Sequence, residues 1–194
     1  MRVANTEHTS RPWRIREVTY DFRLEDVWEV PLPDRPDAFG RGIALLAALD
    51  PSRSSAPVVR TLFAIRWKLG ALLGLDRPDA GLGSRVLSLR DRLPADLRDG
   101  PTGPHFANVP FTPLYVTDDE WAAEAANATM HGVIHVGRID GNAGPRAQLA
   151  IYVKTNGRLG NVYMAAIKPF RHLLVYPAML AEFERALRAE VVAT

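Results

Sequence analysis

Hydrophobic and polar positions change their period along the chain, and each period predicts a different kind of element. Large apolar and charged residues alternate from Trp13 to Tyr20, which predicts an opening strand with one buried face. The segment from Val27 to Val30 is followed by Pro31, Pro33 and Pro36, which force a loop. Phe39 to Leu49 then predicts a short helix that ends before Pro51.

The clearest amphipathic helix is predicted between Pro57 and Asp76, where apolar residues recur at helical spacing. Its stripe consists of Val58, Leu62, Ile65, Leu69, Leu72 and Leu73, widened by Phe63 and Trp67. From Asp76 to Pro110, prolines and glycines interrupt regular structure, so we expect one long irregular connection with a candidate strand at Ser84 to Leu89.

Three more strands are predicted in the C-terminal half. They are Phe111 to Val116, Asn127 to Ile139 and Gln148 to Lys154, and the turn Gly141-Asn142-Ala143-Gly144 makes a hairpin of the last two. After Asn156-Gly157 the pattern becomes that of a long helix, which Pro169 and Pro177 should kink or split. Its apolar side holds Val162, Ala166, Phe170, Leu173, Leu174, Met179, Phe183 and Leu187.

An acidic cluster surrounds Trp121 in the segment before the second of these strands. Asp118 is predicted as the N-cap of a helix, because acidic residues in a first turn stabilise a helix start. The other acids are Asp119, Glu120 and Glu124. Paired-carboxylate catalysis is the alternative interpretation of the same residues.

Length and composition predict one ordinary globular domain. The chain has 194 residues, of which 47% are hydrophobic and 24% charged, and it shows no internal repeat or linker. We therefore expect a single domain over residues 1–194, with residues 1–12 as a flexible leader. The predicted order of elements is α+β, with two shorter helices in the N-terminal half and antiparallel strands before a long C-terminal helix. This order fits a sheet wrapped around the C-terminal helix.

The charge pattern excludes several classes of partner. The net charge is only +2 and the basic residues are interleaved with acids or apolar residues, so no nucleic-acid surface is predicted. The most apolar stretch, Val58 to Leu75, is interrupted by Arg60, Arg66 and Lys68, so no membrane span is predicted. The chain has no cysteine, and its start lacks the apolar core of a secretory signal, so we expect a cytoplasmic location.

His131 and His135 are the candidate catalytic residues. They stand four apart, but on a strand their Cα atoms lie about 13 Å apart, too far to share one metal ion. The sequence contains no dinucleotide fingerprint, phosphate loop or serine nucleophile elbow. We therefore expect neither metal nor cofactor, and either imidazole is a possible acid or base near neutral pH.

Strand alternation places both histidines on one face with Asn127. The bland interpretation is a solvated outer face. The sharper one is the polar end of a pocket, to which the paired strand adds Tyr152 and Lys154. The predicted ligand contacts also include Trp121 and Arg171. The alternative interpretations are a core position for Trp121 and a surface ion pair for Arg171.

Six motifs in order resemble a known bacterial family, the domain-of-unknown-function family 2867. They are Ala64-Ile65-Arg66-Trp67-Lys68-Leu69-Gly70, Pro110-Phe111-Thr112-Pro113-Leu114-Tyr115, Asp118-Asp119-Glu120-Trp121-Ala122-Ala123-Glu124, His131-Gly132-Val133-Ile134-His135, Gly160-Asn161-Val162-Tyr163-Met164 and Ile167-Lys168-Pro169-Phe170-Arg171-His172. The family is similar to the START, pollen-allergen and polyketide-cyclase superfamily (SRPBCC). The resemblance implies a helix-grip fold with an internal cavity and brings no established catalytic residues.

Three hypotheses of function remain open from the sequence. The first is a module that binds a small apolar or aromatic molecule in the cavity. The second is a cofactor-free enzyme of cyclase, dehydratase or isomerase type that uses His131 or His135. The third is a structural or interaction domain without a ligand, for which a homodimer is one candidate form.

Overall fold

The computed structural model describes residues 1–72, 74, 81–83, 86–141 and 144–192. Its centre is a curved antiparallel sheet with the strand order β1-β2-β6-β5-β4-β3. The strands are β1 (Arg2–Val3), β2 (Arg23–Pro31), β3 (Thr112–Val116), β4 (Glu120–Ala126), β5 (Met130–Ile139) and β6 (Arg146–Thr155). The last four follow one another as a meander, whereas β2 joins from the N-terminal part and pairs Val27 with Ala150 of β6.

Helices cover the sheet and extend beyond it. They are α1 (Asn5–Thr9), α2 (Ile15–Val18), α3 (Ala38–Ala48), α4 (Pro57–Leu72), α5 (Ala95–Arg98), α6 (Gly157–Phe170) and α7 (Tyr176–Val192). A π-helical turn, Arg171–Val175, separates α6 from α7, and Pro169 and Pro177 flank this turn. Each proline removes a backbone hydrogen bond and crowds the preceding turn, which explains the local widening. The predicted split of the long C-terminal helix is confirmed.

The two faces of the sheet are buried under different parts of the chain. One face packs on α3 and α7 through Trp28, Val30, Leu32, Phe39, Ile43, Trp121, Val136, Ala147, Phe183 and Leu187. The opposite face, here called the N-terminal face, is covered by α1, α2 and the segment 89–98 through Trp13, Ile15, Val18, Val27, Leu89, Leu93, Leu97, Tyr115, Val133 and Tyr152. The predicted α+β class is confirmed, and the arrangement is consistent with a helix-grip-like fold.

Two predicted elements are wrong. The segment from Trp13 to Tyr20 contains α2 instead of a strand, because a helical turn brings Ile15 and Val18 together on one buried side. The segment that follows Asp118 forms strand β4 instead of a helix. Its acids find buried partners on the next strand, and this tertiary pairing outweighs the local preference for a helix start.

Two further segments differ from the simple expectation. The candidate strand at Ser84 to Leu89 lies partly outside the described residues, and in its described part Leu89 begins a 3₁₀ turn capped by Ser88. The segment predicted as a leader, residues 1–12, contains β1 and α1, and the His8 side chain is buried. Within the described ranges, no helix is both long and apolar enough to cross a membrane.

Candidate functional site

Two carboxylate–histidine pairs join β4 and β5 on the N-terminal face. Glu120 and Glu124 are four residues apart on β4, as His131 and His135 are on β5, and the antiparallel register makes them diagonal neighbours. Glu120 Oε2 lies 3.0 Å from His135 Nε2, and Glu124 Oε2 lies 2.7 Å from His131 Nε2. All four side chains are buried. The strand pattern therefore produces two internal acid–base pairs.

Glu120 also anchors the N-terminal segment to the sheet. Its carboxylate accepts hydrogen bonds from the Tyr115 hydroxyl at 2.9 Å and from the backbone N–H groups of Arg14 and Ile15 at 2.9 and 3.3 Å. These are unpaired donors at the start of α2, which a carboxylate satisfies well. Burial raises the pKa of Glu120, but the hydrogen bond from His135 and the other donors hold the pKa below its ordinary value. Glu120 is therefore ionised at neutral pH.

Glu124 performs the equivalent task for a second covering segment. It accepts hydrogen bonds from the Ser88 hydroxyl and from the Leu89 backbone N–H, the latter at 3.0 Å. These groups begin the 3₁₀ turn Leu89–Arg92. Both carboxylates thus hold a segment of backbone over the sheet while each pairs with a histidine.

His8 brings a third buried imidazole to this face. Its Nδ1 lies 3.1 Å from Gln148 Oε1, and Gln148 Nε2 donates to Glu29 Oε1 at 2.9 Å. Because the Gln148 oxygen is an acceptor, His8 Nδ1 carries the proton and its Nε2 is bare. By the same reasoning, His135 donates from Nε2 to Glu120 and its Nδ1 is bare.

Four buried polar atoms in this region have no hydrogen-bond partner among the described residues. They are His8 Nε2, Trp13 Nε1, His135 Nδ1 and the Tyr152 hydroxyl. Their rings touch: the centroid of His8 lies 5.1 Å from that of His135 and 5.8 Å from those of Trp13 and Tyr152. We call this group the imidazole cluster. It contains two acceptor nitrogens, on His8 and His135, and two donors, on Trp13 and Tyr152.

Burial keeps the imidazole cluster uncharged at neutral pH. Desolvation, with help from His135, lowers the pKa of His8 to about 3. Desolvation also lowers the pKa of His135, although Glu120 opposes the shift. The pKa of the Tyr152 hydroxyl is raised by burial. A neutral His135 backed by a carboxylate is an arrangement that accepts protons.

The remaining predicted site residues do not join this cluster. Asn127 forms the turn between β4 and β5, where its side-chain oxygen accepts from Thr129 N–H at 2.9 Å. Lys154 Nζ pairs with Asp21 at 2.7 Å near the surface. Trp121 packs in the core of the opposite face, as the core interpretation predicts. The Arg171 side chain lies outside the described part, and within that part no three histidine or acidic residues are grouped to hold a metal ion.

An apolar cavity lies on the other face, between the sheet and helices α3 and α7. Its volume is about 20 Å³. Its lining consists of Val30, Leu32, Phe39, Gly42, Ile43, Leu46, Val136, Ala147, Leu149, Leu180 and Phe183. An open groove of about 490 Å³ runs past the start of α3 and the β3–β4 turn, and Phe39 and Ile43 line both spaces. These two side chains therefore lie between the cavity and the groove.

Sequence reasoning placed Glu120 and Glu124 in an acidic cluster but did not pair them with the histidines, and it missed His8 and Gln148. The matching four-residue spacings of the two glutamates and the two histidines were the available signal, because facing strands bring equal spacings together. Nothing local marks His8 or Gln148, whose contact joins residues separated by 140 positions.

The fold and site define a class: an α+β protein in which an antiparallel sheet carries buried carboxylate–histidine pairs on one face and a helix-covered apolar cavity on the other. The family model described as "Protein of unknown function (DUF2867)" matches residues 18–178. The chain belongs to this family. No curated protein and no solved structure matches it.

Proposed function

We propose that the protein binds a small, mostly apolar molecule between the sheet and helices α3 and α7, with a polar end in the groove beside α3. The observation that supports this proposal most directly is the shared wall. Phe39 and Ile43 line both the apolar cavity and the open groove, so a movement of these side chains joins the two spaces.

The size of the site requires α3 to move. Small-molecule sites usually measure about 300–1,000 Å³, whereas the closed cavity holds about 20 Å³ and the groove about 490 Å³. Helix α3 is suited to this movement because Gly40 and Gly42 weaken its helical preference. We therefore propose that α3 moves away from the sheet when the ligand enters.

Charged side chains at the groove would orient the polar end of the ligand. Arg41 and Arg138 line it together with Asp37 and Asp118. Arg41 is paired with Asp37 at 2.6 Å, so the rim presents a charge pair to a polar group. The proposal includes a cytoplasmic location, which the cysteine-free sequence supports.

A comparison of two glycine substitutions in α3 tests this site. A methyl group at Gly42 would lie 3.5 Å from Leu32 and 3.8 Å from Phe183, so Gly42→Ala fills the cavity without a clash. Gly40 is exposed with nothing near it. Both changes should raise stability by about 1 kcal/mol through helix preference. In native mass spectrometry and thermal shift against lipid, polyketide and aromatic compounds, Gly42→Ala should weaken binding more than Gly40→Ala. Both changes stiffen α3, but only the Gly42 methyl group fills the cavity, whereas the Gly40 methyl group lies at the open groove.

Equal binding by the two variants would place any ligand elsewhere. A library without a single binder would count against the proposal and favour a structural or interaction domain. Because both variants are expected to be more stable than the parent, loss of folding does not confuse the comparison.

A second candidate function, acid–base catalysis by His135, is favoured by one specific observation. Its neutral imidazole is held by Glu120 and keeps a bare Nδ1, the atom that would take a proton in an isomerase- or dehydratase-type reaction. His135 lies on the N-terminal face, opposite the cavity beside α3 and α7, so this function would use a substrate that reaches the N-terminal face. Conversion of that substrate should be seen by mass and chromatographic analysis after incubation. His135→Gln should abolish conversion while His131→Gln, in the neighbouring pair, retains it; equal loss in both variants would contradict a catalytic His135.

A further inference from the structure

Exposed apolar side chains are concentrated on two adjoining helical segments. Of ten large apolar residues that are exposed in the described part, seven lie on α4 or between residues 170 and 174. They are Val58, Ile65, Trp67, Leu72, Phe170, Leu173 and Leu174. Helix α4 contacts the π-helical turn Arg171–Val175, so the two segments adjoin. Their exposure is large: 81% of Leu72 and 73% of Leu173 face outward.

The apolar residues of α4 form a line along the helix. Val58, Ile65 and Leu72 are spaced seven residues apart, which is close to two full turns, and the half-buried Leu62 lies between the first two. The inner side of α4 holds the buried Val59 and Gly70 instead. We call Val58, Ile65 and Leu72 the outer stripe. An amphipathic helix with its apolar stripe turned outward predicts an external apolar partner.

The same two segments are basic and carry no acid. All 22 acidic residues of the chain lie outside residues 51–75 and 141–181. Helix α4 contains Arg60, Arg66 and Lys68, and the segment 170–174 contains Arg171. The carboxylate of Glu182 reaches α4 only at its start, where it accepts hydrogen bonds from Ser54 and Ser55. A surface that is both apolar and cationic complements an anionic one.

We propose that the outer stripe, together with the exposed Phe170, Leu173 and Leu174, docks the protein on an anionic lipid bilayer surface. Helix α4 has 16 residues and is about 24 Å long. It would lie in the plane of the interface, with the outer stripe among the acyl chains and its basic side chains at the headgroups. This is surface docking and involves no spanning segment.

Charge favours a bilayer over a second copy of the chain as the occupant. The seven-residue spacing of the outer stripe would also suit a helix–helix seam. In a symmetric pair, however, the basic flanks of one α4 would face the basic flanks of the other, with no acid within residues 51–75 of either copy to offset them. Anionic headgroups remove this repulsion.

Vesicle co-sedimentation tests the proposal with a matched pair of variants. Leu72 and Leu87 are both leucines and are 81% and 82% exposed, but only Leu72 belongs to the outer stripe. The protein should bind phosphatidylcholine vesicles that contain phosphatidylglycerol more strongly than phosphatidylcholine alone. Leu72→Ser should weaken this binding at least about tenfold through lost apolar burial, whereas Leu87→Ser should leave it unchanged.

Charge reversal and salt provide the second arm of the test. Lys68→Glu should weaken binding more than fivefold, because each basic residue near an anionic surface contributes about that factor, and high salt should have the same effect. Equal binding to neutral and anionic vesicles, or equal effects of Leu72→Ser and Leu87→Ser, would overturn the proposal. So would sedimentation of a dimer that Leu72→Ser converts to a monomer, because a second copy would then cover the outer stripe.

Discussion

Replacement of Glu120 by alanine is expected to lower the free energy of unfolding by about 3–5 kcal/mol, the usual loss when one partner of a buried charged network is removed. The Glu120 carboxylate accepts from Tyr115, His135 and the backbone of Arg14 and Ile15. Without it, these donors stay buried and unsatisfied. Urea unfolding followed by circular dichroism measures the change.

An exposed acid on the same covering segment provides the control. Glu17 pairs with Arg14 at 2.9 Å, but its side chain is 52% exposed. Exposed pairs contribute about 1 kcal/mol or less, so Glu17→Ala should have a small effect. Similar losses for the two variants would show that Glu120 does not anchor the N-terminal segment.

Acidification should destabilise the protein before its carboxylates titrate. The folded-state pKa of His8 is lowered to about 3 from 6.5, so the unfolded chain takes up a proton first as the pH falls. The contribution of His8 is therefore intact above pH 6.5 and is lost progressively towards pH 3. By pH 4.5 this loss should reach about 2–3 kcal/mol. The lowered pKa of His135 acts in the same direction.

His8→Phe separates this effect from general acid unfolding. Phenylalanine keeps a buried ring but cannot be protonated, so the slope of unfolding free energy against pH between 6.5 and 4.5 should become shallower. Urea unfolding at several pH values measures that slope. An unchanged slope would mean that His8 titrates normally and that the imidazole cluster opens to water in the folded protein.

Segments with one dominant periodicity were predictable from the sequence. The helix at Phe39 to Leu49 corresponds to α3, and the predicted hairpin corresponds to the antiparallel pairing of β5 with β6, although its turn lies partly outside the described residues. Proline chemistry also predicted the break between α6 and α7. In these places local preference and tertiary contacts favour the same structure, which is why pattern alone was sufficient.

The wrong elements are those where long-range contacts decide. Strand β4 has the acids of a helix start, but Glu120 and Glu124 are satisfied by histidines of β5, which no local rule anticipates. Helix α2 is short and is fixed by the Glu120 carboxylate, which lies more than a hundred positions away along the chain. The alternation of a strand predicted that His131 and His135 share a face. It did not predict that Glu124 and Glu120 pair with them.

The partner of β2 sets the order in which the chain can assemble. The meander from β3 to β6 closes through short turns, but β2 must wait for β6, and His8 meets Gln148 across 140 positions. During synthesis the first third of the polypeptide therefore leaves the ribosome long before its docking surface exists. Its apolar residues stay uncovered in the interval, and the long-range pairing of β2 with β6 is expected to make folding slower than that of a chain built from local contacts.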